Sequence, residues 1–317
     1  MLTPKSVFIK DIRPGDIIND SFLAFEKNMA VTLKGNPYLN LRLRDKTGEI
    51  DGRVWDNAEA LSSAFKRGDV IFIKAKATSY RDVTQLTITN IAVLDDDAVD
   101  PADYSPQSRS DRDEMFGALK EIVSSVANPS LRALLDALFD DPEIAGALRT
   151  APAAKGFHHS YIGGLLEHTL SVTRVLDAIV PFYPQADRDL VITGGILHDI
   201  GKISELSFTK MIDYTDEGRL IGHIVLGLEL LNRKIAGIEG FPDNLAMKLR
   251  HIMVSHHGEL EFGSPKRPKT LEALLVNYVD DLDAKANAFR EFMNDADDDS
   301  DWTPYHRLLE RFLYKGK

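Results

Sequence analysis

The 317-residue sequence contains no cysteine. That excludes disulfides, thiolate metal ligands, iron–sulfur clusters and cysteine nucleophiles together. Long apolar runs are also missing. No stretch approaches the roughly 20 residues a membrane-spanning helix needs. The opening MLTPKSVFIKDIRPGD has no apolar segment of signal-peptide length. A soluble, cytoplasmic protein without a membrane partner is expected. Histidine is absent from the first 157 residues, and all nine lie beyond them. With thiolates excluded, transition-metal chemistry must use imidazoles and carboxylates, and the imidazoles are confined to one half.

Acidic residues outnumber basic ones, 49 to 38, for a net charge of −11. Taken whole, that argues against a polyanionic partner. The excess is uneven. Residues 1–95 carry 14 Lys/Arg and 12 Asp/Glu, leaving 24 and 37 for the rest. The amino-terminal part is therefore +2 and the remainder −13. The length predicts roughly two domains, and the 44% apolar content lets each bury its own core.

Residues 1–95 read as β. In Tyr38–Asp45, Leu39, Leu41 and Leu43 share one face, with Asn40, Arg42 and Arg44 on the other. Lys46-Thr47-Gly48 then signals a turn, and Glu49–Trp55 completes a hairpin. Two further strands span 69–77 and 85–93, with a short helix over 58–65. Four or five short strands around one helix predict a small all-β barrel. Residues 96–113, poor in large apolar side chains and carrying Pro101 and Pro106, read as a linker. From Glu114 the periodicity turns helical and continues to the C-terminus, giving an all-α domain over 114–317. The acidic stretch Asp295–Asp301 reads as a solvated loop.

The strongest local signal is Leu197-His198-Asp199-Ile200-Gly201-Lys202, which ends an apolar helical run. Adjacent His198 and Asp199 can bind one divalent ion. The second oxygen of Asp199 can reach another, as two-metal phosphate chemistry requires. Gly201 would let the helix stop, and the Lys202 cation suits a phosphate oxygen. His168 lies on an upstream amphipathic helix. Asp280 lies on an apolar helix downstream, where a carboxylate is costly to bury unless paired or metal-bound. His223 begins a helix, and His256 and His257 end another.

This order of histidines and aspartates on successive helices resembles the HD phosphohydrolase superfamily, in its longer two-metal version. The resemblance implies that His168, His198, Asp199 and Asp280 hold one ion. It implies that Asp199 bridges to a second ion held by His223, His256 and His257, and that Lys202 contacts a phosphate. Asp281 and Asp283 compete with Asp280 for the last ligand position. Manganese is the ion the resemblance implies, with iron, cobalt and magnesium as alternatives. The pair His158-His159, in Lys155-Gly-Phe-His-His-Ser-Tyr, resembles the YhaM-type 3′-5′ exoribonuclease family; the two are candidates for contact with the scissile phosphate or for structural or surface imidazoles. His251 and His306 read as packing or surface residues.

The hairpin Leu39–Trp55 resembles the nucleic-acid-binding face of OB-folds. Arg42, Arg44, Arg53, Lys74, Lys76 and Arg81 are the expected phosphate contacts. Tyr38, Trp55, Phe72 and Tyr80 are candidates for base stacking or for the barrel core. An OB barrel, a linker and an HD domain follow the YhaM-type order along essentially the whole chain. The resemblance therefore implies a metal-dependent 3′-5′ exoribonuclease acting on single-stranded RNA, with single-stranded DNA a further substrate. Self-association is compatible with it. A small-nucleotide phosphohydrolase and a nucleic-acid-binding adaptor with an inactive HD domain are the alternatives.

Overall fold

Leu39, Leu41 and Leu43 turn inward as their alternation requires, and each is almost fully buried. They lie on β2 (Pro37–Asp45), which pairs antiparallel with β3 (Gly48–Val54). With β1 (Ile17–Val31), β4 (Val70–Tyr80) and β5 (Val83–Val93) they form a closed barrel in the order β1-β2-β3-β5-β4. The short helix α1 (Ala58–Ser63) follows β3. The computed structural model describes residues 5–316 except 33, 82, 106, 107, 109, 156–158, 208–210, 296–299 and 308. The chain divides into two units. Met1–Gln107 with Phe208–Met211 form one, and Ser108–Ser207 with Ile212–Lys317 the other.

β1 has no clean alternation and was not legible in the sequence. Residues Asp20–Ala24 are all buried, so both faces of the strand are covered there. The second cover comes from the segment expected to be a linker. Val99 and Tyr104 pack with Leu23 and Val70, and the Tyr104 hydroxyl lies 2.7 Å from Ser21 Oγ. The part of that segment holding Val99 and Tyr104 thus packs on the barrel and groups with the first unit. A bulge between Ala24 and Glu26 bends β1 so that it pairs with β4 at one end and β2 at the other.

The second unit contains α2 (Arg112–Ser124), α3 (Pro129–Phe139), α4 (Pro142–Thr150), α5 (Gly164–Ile179), α6 (Arg188–Leu197), α7 (Lys202–Glu205), α8 (Asp216–Leu220), α9 (His223–Ala236), α10 (Asp243–Ser255) and α11 (Leu271–Asp295). Asp111, Asn128, Asp141 and Asp187 cap α2, α3, α4 and α6 through their side chains. Each such cap contributes about 1 kcal/mol. α6 is buried all round from Leu190 to Leu197, as expected of a central helix, and packs against α5 and α11. Between α7 and α8 a two-residue ladder pairs Leu206–Ser207 with Asp213–Tyr214. The helices do not continue to the C-terminus: Trp302 pairs with Tyr314 and His306 with Arg311 in isolated bridges. Among the described residues, no helix is long and apolar enough to cross a membrane.

Candidate metal centre and nucleic-acid interface

α6 ends at His198, which caps it, and the chain then turns through Asp199 into α7. Gly201 does not serve to stop a helix, because its φ of −64° is ordinary for any residue. Its role is closeness: a Cβ there would lie 2.0 Å from the His223 carbonyl oxygen. This glycine lets the His198–Lys202 turn sit directly on the start of α9.

Seven side chains converge as two donor groups sharing Asp199. His168 Nε2 lies 3.2 Å from both His198 Nε2 and Asp280 Oδ1, and 3.5 Å from Asp199 Oδ2. His198 Nε2 lies 3.5 Å from Asp199 Oδ2 and 3.6 Å from Asp280 Oδ1. On the other side, Asp199 Oδ1 is 3.5 Å from both His223 Nε2 and His256 Nε2, with His257 completing the group. These separations match donors gathered around an ion with bonds of about 2.1 Å, which places neighbouring donors about 3.0–3.5 Å apart.

Asp199 Oδ1, His223 Nε2 and His256 Nε2 are buried and accept or donate no hydrogen bond among the described residues. Buried polar atoms are rarely left so. Three of them facing one another fit a divalent cation, and so does an all-imidazole and carboxylate donor set.

The imidazoles are oriented from behind. Nδ1 of His198, His256 and His257 lies 2.8, 2.8 and 2.9 Å from the carbonyl oxygens of Gly195, Met253 and Phe262. Nδ1 of His168 lies 2.8 Å from Asp283 Oδ2, and that of His223 lies 3.1 Å from Glu205 Oε1. Carbonyls and ionised carboxylates only accept, so each Nδ1 carries a hydrogen and Nε2 is the ring nitrogen left to face the other donors.

Charge supports the same assignment. Burial raises the Asp199 carboxyl, but Lys202 and His198 outweigh it and hold the group well below the carboxylate range. Asp280 is held well below that range by His198 and His168 against the same burial. Burial pushes His256 down and, with the nearby His256, pushes His257 down, so both stay neutral. His168 is the exception. Burial lowers it, but Asp280, Asp283 and Asp199 together raise it to about 9.

The seven side chains expected to act together are thus brought together, and Asp280 rather than Asp283 faces Asp199 and His198. Asp283 stands three residues further along α11, on the same face, behind His168. Lys202 is buried with its Nζ 2.6 Å from Asp199 Oδ2. His159 is not at an open phosphate position. It is 2% exposed, with its ring between Asp283 and Tyr161. His158 lies outside the described residues. Asp283 and Glu205 were missed as partners of the ligands. Their signal was the spacing of three residues from Asp280 and from Lys202.

On the barrel, Arg42 stands opposite Asp51 and Arg44 opposite Glu49. Arg42 is 3.4 Å from Asp51, and Arg44 pairs with Glu49 above the Phe25 ring. Arg53 bonds Asn40 across the same strand pair and aligns through Thr87 with Lys76. Lys74 and Lys76 are exposed, with no ion pair among the described residues. Tyr38 and Trp55 stack with ring centroids 4.8 Å apart, and Trp55 is 46% exposed rather than in the core. Phe72 is half-buried, and Tyr80 is exposed beside Arg81.

Residues 165–285 match the HD domain family, and residues 29–94 the family described as OB-fold nucleic acid binding domain. The chain is 30% identical over 284 residues to the 3′-5′ exoribonuclease YhaM of Bacillus subtilis, covering 89% of each. It is 33% identical over 274 residues to the 3′-5′ exoribonuclease YhaM of a Geobacillus species, covering 86% of this chain and 84% of that one. Among solved structures, the HD domain of the L. monocytogenes phosphodiesterase PgpH aligns with a TM-score of 0.32 and 18% identity, covering 49% of this chain and 80% of that one.

Proposed function

Because this chain belongs to the YhaM family of 3′-5′ exoribonucleases, we propose that it removes nucleoside monophosphates from the 3′ end of single-stranded RNA, and of single-stranded DNA, at a two-ion site. His168, His198, Asp199 and Asp280 would hold one ion, and Asp199, His223, His256 and His257 the other. Bound there, divalent ions supply Lewis-acid polarisation of a phosphodiester and lower the pKa of water. We assign manganese; iron, cobalt and magnesium also accept this donor set.

The chain's own residues prepare that chemistry. Five imidazoles present Nε2 because their Nδ1 hydrogens are already engaged. Asp199 and Asp280 stay ionised at neutral pH. Lys202, held charged by Asp199 despite its burial, stabilises negative charge that grows on a non-bridging phosphate oxygen. The Tyr38–Trp55 stack offers bases a sequence-tolerant platform, and Arg53, Lys74 and Lys76 neutralise phosphates. Arg42 and Arg44 contribute less, since Asp51 and Glu49 already engage them.

The observation that carries this reading is the trio of buried, unbonded atoms on Asp199, His223 and His256. Single-stranded RNA incubated with the purified protein and Mn²⁺ should yield mononucleotides, and chelation should stop the reaction. Hydrolysis of a small nucleotide with RNA left intact would contradict it.

A further inference from the structure

The five ligand imidazoles differ in what stands behind them. Three donate to main-chain carbonyls, and two donate to carboxylates. The two are distributed one to each donor group: His168 with Asp283, and His223 with Glu205. We propose that Asp283 and Glu205 are positioning residues, one for each ion, and that His159 is the clamp that holds Asp283 against His168. The proposal rests on the two-ion reading of the site. A carboxylate behind an imidazole fixes its tautomer and ring angle and strengthens Nε2 as a donor.

Asp283 is engaged at both oxygens. Oδ2 accepts from His168 Nδ1 at 2.8 Å and from His159 Nε2 at 3.1 Å, while Oδ1 accepts from Ser171. With Nε2 of His159 donating, its Nδ1 accepts from the Tyr161 hydroxyl at 2.8 Å. The main chain of His159 is pinned as well. Its N–H donates to Asn287 Oδ1 at 3.2 Å, and its carbonyl accepts from Ala153 and Tyr161. Its φ of +49° is a conformation non-glycine residues rarely adopt. Gly164 makes room for it, since a Cβ there would lie 2.0 Å from the His159 carbonyl oxygen. Backbone strain of this kind persists only where surroundings over-determine it. Here they aim one imidazole at the carboxylate behind a metal ligand.

Glu205 is built more simply. Oε1 accepts from both the backbone N–H and Nδ1 of His223, at 2.9 and 3.1 Å. One carboxylate oxygen therefore fixes the first residue of α9 and its ring together. His159, His168 and Asp283 also form a donor triangle of their own. Their facing atoms already bond one another, which favours a positioning role over a third ion.

The test is Mn²⁺ binding to the full-length, metal-stripped protein, followed by the EPR signal of free Mn²⁺ and by calorimetry. Wild type should bind two ions. Asp283→Asn and Glu205→Gln should each weaken one ion by about 10–100-fold and leave the other near its wild-type affinity. His159→Gln should weaken the same ion as Asp283→Asn by a smaller factor, and add little in the double variant. Two ions bound with wild-type affinity in Asp283→Asn, or a third ion lost from it, would overturn the proposal. If Asp283→Asn does not fold, Glu205→Gln decides the claim at the other ion. A wild-type protein that binds no ion would instead defeat the two-ion reading.

Discussion

Asp199 Oδ1 and His256 Nε2 lie 3.5 Å apart, both buried and neither hydrogen-bonded among the described residues. Leaving a buried polar atom unsatisfied costs roughly 1–3 kcal/mol. A cation between them would remove that cost, and Asp199 is the residue shared by the two proposed ion-binding groups. Asp199→Ala should therefore lose both ions and reduce hydrolysis by more than about a thousandfold, since metal activation supplies several kcal/mol. RNA affinity in a filter-binding assay should stay near wild type, because the proposed strand contacts lie on the barrel. Metal analysis and turnover of the purified variant check the first two outcomes.

Lys202 and Asp199 form a buried ion pair, 2.6 Å apart. Removing one partner of such a pair typically costs roughly 3–5 kcal/mol, because the other charge is left uncompensated. A bound ion would supply that compensation. Lys202→Met should thus destabilise the metal-free protein strongly and the Mn²⁺-loaded protein much less. Paired thermal melts, with chelator and with Mn²⁺, measure the difference.

If His168 is a ligand as proposed, it should set the pH dependence of ion binding. Its pKa in the metal-free protein is about 9, above the ordinary value near 6.5. The folded state therefore holds a proton that the unfolded chain releases. This contribution to stability is fully present below about 6.5 and is lost as pH rises through 9. A metal ion must displace that proton. Binding at pH 7 to 8 should release a proton from His168, and affinity should rise about tenfold per pH unit, levelling above 9. His256 and His257, both lowered, add no proton to the count. Calorimetry in buffers of different ionisation enthalpy measures the proton released.

On the barrel, Trp55→Ala breaks the stack with Tyr38. Base stacking on an aromatic is worth roughly 1–3 kcal/mol. RNA affinity should fall about 5- to 150-fold, with little change in salt dependence. Lys76→Gln should weaken binding more modestly and flatten the salt slope by about one phosphate contact. Binding isotherms at several salt concentrations separate the two effects.

The absence of cysteine confines metal chemistry to imidazoles and carboxylates, and His198-Asp199 stands out at the end of an apolar helical run. The grouping of His168, His198, Asp199, His223, His256, His257 and Asp280 is legible only through the resemblance of their order to the HD phosphohydrolase superfamily. The barrel hairpin was equally readable, since Leu39, Leu41 and Leu43 alternate cleanly over a core with one wet side. β1 was not, because Tyr104 and Val99 cover its outer face and erase the alternation. Those covering residues looked like a linker for the same reason: their partners lie some 30 or more positions away in the sequence. The sequence leaves His159 open between a phosphate contact and a structural imidazole, because nothing local shows that Asp283, 124 residues on, receives it. Gly201 was read through backbone freedom, whereas the contact that demands it is with His223, 22 residues on.

The most direct measurement follows a single-stranded RNA carrying a 5′ label through digestion in Mn²⁺. A ladder that shortens one nucleotide at a time from the 3′ end is expected, and no ladder when Asp199 is replaced by alanine. Internal cuts, or an unchanged ladder in the Asp199→Ala protein, would contradict the proposed activity.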